Sequence, residues 1–442
     1  MAVHLDEHFT YKKIGKAVIS PILMMVFTSI YSIVDGVFVS NFVGKTAFAA
    51  LNLIFPVTMI LGSLGFMMGA GGSALVAKTL GEGDKEKANK IFSGVVYSTV
   101  ILGVAVSLAV VFFVEPIAKL LGATDEMLPY CTLYGQILIG AETLFMVQNL
   151  FQTFFIVAER PQLGFAVTAI AGVTNIVLDA AFVVGAKLGL AGAAYATIIG
   201  QFFGAIIPII YFVCPNKSLL RLGKATFAPR MLFQTVTNGS SELLSNVASS
   251  VVSMIYNMQL LKFAGEDGVS AYGIIMYASF IFAAVFMGYA IGVAPIISYN
   301  YGSQNKDELK NMFRKSTIIN IAAGVVMTIL SVSLARPLSS IFVSYDKSLL
   351  DMTTLGMRIF SVSFVFMGFN IFTSSFFTAL NNGLISAIVS FARTLIFQIA
   401  AVMLLPMAFG LTGIWVSVIV AEFLSLVLEI IFLATNQKKY GY

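Results

Sequence analysis

Phe145-Met146-Val147-Gln148-Asn149-Leu150-Phe151 and Phe366-Met367-Gly368-Phe369-Asn370-Ile371-Phe372 are one apolar phrase written twice, 221 residues apart. That distance is half of the 442-residue chain, and sliding the sequence by it lays the chain over itself without a gap. Gly81 then meets Gly302, Pro116 meets Pro337, Ala158 meets Ala379 and Gly192 meets Gly413. The loop Leu80-Gly81-Glu82-Gly83-Asp84-Lys85 falls on Tyr301-Gly302-Ser303-Gln304-Asn305-Lys306. One such match would carry nothing, but a constant offset along both halves marks a duplicated unit.

The unit is built for lipid. The chain is 58% hydrophobic and 11% charged, against about 25% charged in a soluble domain. Its mean hydropathy is +0.93. Apolar runs of the length that spans a bilayer occur at 14–40, 48–77, 91–114, 127–157, 162–184 and 190–213. The second set covers 233–262, 268–298, 311–335, 351–380, 384–406 and 410–435. A transmembrane β-barrel would instead show short alternating segments. The fold class expected is an all-α integral membrane protein of about twelve spans in two six-helix lobes. The lobes occupy residues 1–214 and 231–442, with a polar cytoplasmic linker at 215–230. Six spans per half is an even number, so the halves are parallel repeats about an axis along the membrane normal. The N-terminal residues 1–16 are mixed in charge and lack a cleavage site, so no signal peptide is expected.

Charge fixes the expected orientation. The termini and alternate loops carry 18 of the 26 Lys and Arg, and the opposite loops carry 6. The richer side should be cytoplasmic, with both termini inside a plasma or inner membrane. The same rule accounts for the net charge of +5 better than nucleic-acid binding does, so no nucleic-acid partner is expected. Cys131 and Cys214 fall near opposite faces and cannot reach each other for a disulfide.

An ionisable side chain at bilayer depth costs about 2.5–3.5 kcal/mol or more and needs a reason to be there. Asp35 and Asp179 each lie about five residues from the outer end of their spans, roughly 8 Å deep. Asn175 shares a helix face with Asp179, in a stripe with Thr168 and Gly172, and Thr197 reaches similar depth on the next span. Two carboxylates with an amide and a hydroxyl can hold Na⁺ through oxygen. Crowding the carboxylates also suits one of them to carry a proton. Packing alone, with the two acids bonded to neighbouring helices, is the competing account.

The seventh span carries a polar line through Thr235, Asn238, Glu242, Ser245, Ser249, Ser253 and Tyr256, with Asn246 beside it. Glu242 and Asn370 lie roughly 14–15 Å from the same face and could share a C-terminal polar site or cavity. Asn149, the repeat partner of Asn370, is a further candidate there. A small-residue face packing on another helix would look similar. Pro21 removes a backbone donor early in span 1 and should kink it below Asp35. Arg358 can snorkel, whereas Arg393 lies deeper and needs a partner such as Glu142 or Glu422. Glu429 falls near enough to the inner interface to be solvated. The 39 Phe and 20 Met face lipid or core, although some could line a cavity that attracts cations. His4 and His8 are the two histidines, and neither a Cys/His metal pattern nor a nucleotide-binding Gly-x4-Gly-Lys-Ser/Thr loop occurs. No enzyme, nucleotide or cofactor is expected, and energy should come from an ion gradient.

Ser32-Ile33-Val34-Asp35-Gly36-Val37-Phe38-Val39 resembles the first-helix pattern of the MATE (multidrug and toxic compound extrusion) transporters. Asn175-Ile176-Val177-Leu178-Asp179 with Gly189-Leu190-Ala191-Gly192-Ala193-Ala194-Tyr195-Ala196-Thr197 resembles that family's helix 5–6 signature. Gly239-Ser240-Ser241-Glu242-Leu243-Leu244 is similar to its helix 7 signature in the bacterial branch of staphylococcal multidrug exporters. The resemblance covers essentially the whole chain. It implies two lobes around a V-shaped cleft and antiport of small organic cations and drugs against Na⁺ or H⁺, the activity behind antibiotic resistance, by a monomer in lipid. It further implies a cation site at Asp35, Asn175, Asp179 and Thr197, and matches Glu242 to the acidic residue of a C-lobe site in some members. The helix 10 aspartate of those members is Asn370 here, which moves the expected ion coupling to the N lobe. A flippase for lipid-linked oligosaccharides shares the fold and is the alternative, but should need several cationic residues in its cavity. A major facilitator is disfavoured, because Ala77-Lys78-Thr79-Leu80-Gly81-Glu82-Gly83-Asp84-Lys85 does not fit the basic loop of that class.

Overall fold

A computed structural model describes residues 4–343 and 346–442, apart from the side chain of Lys45. No strand occurs among the described residues, as a bilayer demands of a chain that is not a barrel. The N-terminal half holds α1 (Tyr11–Phe42), α2 (Lys45–Gly81), α3 (Lys85–Val110), α4 (Val114–Leu120), α5 (Leu128–Gly140), α6 (Glu142–Val157), α7 (Pro161–Asp179) and α8 (Gly189–Val213). After a non-helical stretch come α9 (Pro229–Gly302), α10 (Lys306–Val343), α11 (Lys347–Ser361), α12 (Phe364–Ala379), α13 (Gly383–Phe391) and α14 (Gln398–Tyr440).

Eight helical stretches are long and apolar enough to span a membrane, or ten when α5–α6 and α11–α12 each count as one bent span. Two of those ten reverse direction within themselves. In α9 the turn is at Gly265, whose φ of +63° favours glycine. Tyr256 and Tyr272 on either side of it stack at 5.1 Å, where a straight helix would hold them about 24 Å apart. In α14 the turn is at Gly410, with φ +57°. Gln398 and Ser417, on its two sides, both bond the hydroxyl of Tyr256. The result is the expected twelve crossings. The fourth and tenth are not the continuous helices that their apolar runs suggested. They bend by 51° and 49° at Ala141 and at Val362-Ser363, the same place in each repeat. At both breaks the backbone pairs three residues apart instead of four, as in Leu144 to Ala141 and Phe366 to Ser363. Gly140 stands directly before the first bend, whereas no Gly or Pro adjoins the second.

The two halves meet at the end that carries the basic loops. A Cβ on Gly71 would stand 1.9 Å from the Thr235 carbonyl, and one on Gly239 would stand 1.9 Å from that of Met67. Gly81 and Gly302 allow the same approach to the carbonyls of Tyr299 and Lys78. Gly288 and Gly292 of α9 receive Ile22, Val18 and the ring of Pro21, through which α1 continues as helix. The far ends pack inside their own halves instead: Val39 joins Ala47, Ile54 and Leu190, while Tyr256 joins Tyr272 and Trp415. The halves therefore touch at one end and diverge toward the other.

A strap crosses the closed end. Glu159, in the turn between α6 and α7, takes the His4 ring nitrogen at 2.7 Å and the Leu5 N–H at 2.8 Å. Glu308, in the first turn of α10, takes the His8 ring nitrogen at 2.6 Å and the Phe9 N–H at 2.9 Å. Asn311 and Lys315 bond the Phe9 carbonyl, and the side chains of Leu5 and Phe9 are buried. Residues 4–9 thus join the two halves by one repeated device: a glutamate that accepts from a histidine and from the following backbone amide.

The bond to Glu159 raises the pKa of His4 above its ordinary 6.5, with slight desolvation opposing and Glu7 and Asp6 assisting. A raised value means that this bond is at full strength below pH 6.5 and is lost as pH climbs through the raised value. Amide exchange at Leu5 should therefore quicken between pH 6 and 8 beyond the intrinsic base catalysis. A purely intrinsic profile would show that His4 does not titrate in the strap. At the crossing, Gly239→Leu should cost about 1–3 kcal/mol by overpacking against Met67, seen as a lower unfolding temperature in detergent.

Candidate functional site

Asp35 on α1 and Asp179, the last residue of α7, are neighbours whose carboxyl groups lie close enough to influence each other. Asp179 is fully buried, and neither of its oxygens meets an N–H or O–H donor. Asp35 Oδ1 is buried and equally unpartnered. Asn175, one turn before Asp179 and also buried, offers its amide to the Thr197 hydroxyl at 3.5 Å. That hydroxyl gives its hydrogen to the Ala193 carbonyl at 3.0 Å, so its second lone pair stays available. Four residues separated by up to 162 positions thus gather at one level of the N-terminal half.

Two neighbouring carboxyls without a donor cannot both be ionised at this depth unless something positive lies with them. A shared proton satisfies the pair, as does a cation held by carboxylate, hydroxyl and amide oxygens. The backbone favours such a place. Directly after Asp179 the helix widens into a π-helical turn, Ala180–Gly185, which breaks the regular pairing beside the acid.

Sequence reading missed the aromatic part of the site. The buried Tyr134 of α5 lies near both acids, and Tyr31, one turn before Asp35, lies near Asp35. The α1 spacing of Tyr31 and Asp35 was visible. The approach of Tyr134 to the two acids comes from the packing of α5, which the spacing within its own span does not reveal.

The second group of candidates does not form one cluster. Asn149 is buried in the N-terminal half, where Gly69 of α2 packs against its backbone. Asn238 donates to the Thr378 carbonyl at 2.9 Å and Asn246 to the Glu242 carbonyl of its own helix at 2.8 Å. Asn370 donates to both the carbonyl and the carboxylate of Glu422, at 2.9 and 2.6 Å. Arg393 stands 3.9 Å from that carboxylate, which answers its need for a partner, and Glu242 also faces Arg393. Glu429, expected to be solvated, is completely buried, because the last crossing packs it inside the C-terminal half beside Thr373 of α12.

A family model described as MatE matches residues 21–181 and 243–404, once in each half of the chain. Among curated proteins, the chain is 25% identical to the multidrug export protein MepA of Staphylococcus saprophyticus and 26% identical to that of Staphylococcus haemolyticus. Each match covers 94% of this chain and 92% of the relative. Among solved structures, an outward-facing multidrug resistance MATE family transporter superposes with a TM-score of 0.91 at 21% identity, covering 97% of this chain and 96% of its own. A MATE in complex with MaL6 superposes with a TM-score of 0.93 at 20% identity, covering 98% of each chain.

Were Asp179 present only to hold helices together, its amide analogue should weaken the fold. An unpartnered buried acid is instead a burden on the fold, and removing it should cost nothing. Asp179→Asn is expected to unfold in detergent at the wild-type temperature or above. A drop of several degrees would return the residue to a packing role.

Proposed function

The chain belongs to the MatE family, and on that premise we propose that it is a secondary active multidrug exporter, a transporter and not an enzyme. It moves lipophilic organic cations out of the cell in exchange for Na⁺ or H⁺, working as a monomer in the cell membrane with both termini in the cytoplasm. The lobes are residues 1–214 and 231–442, joined by the linker 215–230. The observation that carries the coupling is the Asp35–Asp179 pair, three of whose oxygens lack any donor within the protein. The name and fold of the relatives supply the substrate class, and the divergence of the halves away from the basic loops supports an outward-open state.

In the cycle, a cytoplasm-facing cleft admits the drug, the lobes rock about the glycine crossings of α2 and α9, and the cleft opens outward. A cation arriving at Asp35 and Asp179 then lowers drug affinity, and by linkage the drug lowers cation affinity by the same factor. Thr197 and Asn175 orient the site, while Tyr134 and Tyr31 close it from the hydrocarbon side. A flippase handling a pyrophosphate would want free cations in its cavity. Arg393, the partly buried arginine of the eleventh crossing, is engaged by Glu422.

The decisive measurement uses purified protein in proteoliposomes, with Na⁺ and proton gradients imposed separately and a fluorescent organic cation followed. Asp35→Asn and Asp179→Asn should each bring gradient-driven transport to the protein-free background while the protein stays folded. Wild-type rates from either variant would remove that residue from coupling.

A further inference from the structure

Glu429 has no part in the cycle above. It lies on the twelfth crossing, eleven residues before Tyr440 and so roughly 16 Å from the helix end. It is fully buried, and neither carboxyl oxygen has a hydrogen-bond partner. Two turns earlier on the same face, Glu422 is engaged by Asn370 at 2.6 Å and by Arg393 at 3.9 Å. Arg393 and Glu422 both lie near Glu429, but neither is bonded to it.

The hydroxyls around Glu429 have already spent their hydrogens. Thr373 of α12 lies against it but donates to the Phe369 carbonyl at 2.9 Å. Ser425, one turn before it, donates to the Ala421 carbonyl at 2.8 Å. Neither hydroxyl therefore gives a hydrogen to Glu429. An ionised carboxylate sealed from water there would pay its full desolvation without a single compensating bond. A carboxylic acid avoids that penalty and can offer its own hydrogen to the Thr373 oxygen.

Charge counting agrees. Glu242 of α9, Glu422 and Glu429 share the neighbourhood of one guanidinium, that of Arg393. One positive group answers one of the three acids, and the others need neutralising from outside. We infer that Glu429 is a proton-binding site of the C-terminal half, distinct from the Asp35–Asp179 pair, with Arg393 as the counter-charge that can pass from Glu422 to Glu429 when the proton leaves. The proton goes to water, Glu429 becomes the carboxylate paired with Arg393, and Glu422 keeps its bonds to Asn370. The adjacent arginine makes a proton a better occupant than a metal cation, which it would repel. The site itself is a property of this half of the chain; only its use in transport rests on the export reading.

The test is infrared difference spectroscopy of detergent-purified protein at neutral pH. Wild type minus Glu429→Gln should show the carbonyl stretch of a protonated carboxylic acid. In Thr373→Val that band should move toward the position of a free acid. A difference spectrum without such a band, or one showing a carboxylate in its place, would overturn the proposal. So would Na⁺ raising the unfolding temperature of wild type but not of Glu429→Gln. Since Gln reproduces the neutral form, folding should be retained; if it is not, Thr373→Val alone still reads the band. Proton release on adding tetraphenylphosphonium then separates the two sites. With Asp35→Asn and Asp179→Asn combined, release should fall below the wild-type amount yet persist, and it should vanish when Glu429→Gln is added. No release from the double variant would overturn the part of Glu429 in transport. Wild-type release from the double variant that Glu429→Gln abolishes would leave Glu429 standing and sink the N-terminal pair.

Discussion

Hydrocarbon offers no hydrogen bonds, and everything else in this protein follows from that. The backbone must satisfy itself, so the described chain is helix after helix. Side chains must do the same, so hydroxyls along the spans turn back to their own helix: Thr28 to Met24, Ser250 to Asn246, Ser425 to Ala421. With the polar groups so generally accounted for, the few that are not become conspicuous. Both oxygens of Asp179 and both of Glu429 stand out against this background. A fold under such a constraint keeps an unanswered acid only where a visiting charge answers it.

The same constraint shapes the contact between halves. Lipid gives no hydrophobic drive for helices to associate, so close packing must supply it. Glycines at positions 71, 81, 239 and 302 bring α2 and α9 into backbone contact. Such a contact is short-ranged and is lost entirely on a small displacement, which suits a joint with two states. Asp35 and Asp179 lie toward the other end of the first half, away from this joint.

Much of this was written in the sequence. The repeat at 221 residues carries the fold, because a duplicated hydropathy profile survives drift in individual residues. Asp35, Asn175, Asp179 and Thr197 were legible because each breaks an apolar run at a matched depth, and the structure brings them together. The bends at Ala141 and Val362-Ser363 were not legible. They come from tertiary packing that pulls three-residue pairing into a helix of ordinary composition. Tyr134 was hidden because its approach to the two acids comes from the packing of α5. Glu429 was misplaced because its burial comes from the helices packed against it, α12 among them, which its own helix does not reveal. Asn370 looked like a lost charge on helix 10; its carboxylate neighbour is Glu422 of the twelfth crossing, which no spacing within one helix could reveal.

Residues 4–9 are stitched to Glu159 and to Glu308, and the second partner comes 300 positions after His8. During synthesis this segment leaves the ribosome long before Glu308 exists. It must wait in solution with Leu5 and Phe9 uncovered until the tenth helix has been inserted. Its docking is thus a late act of assembly, one that registers whether the second half has been placed correctly against the first.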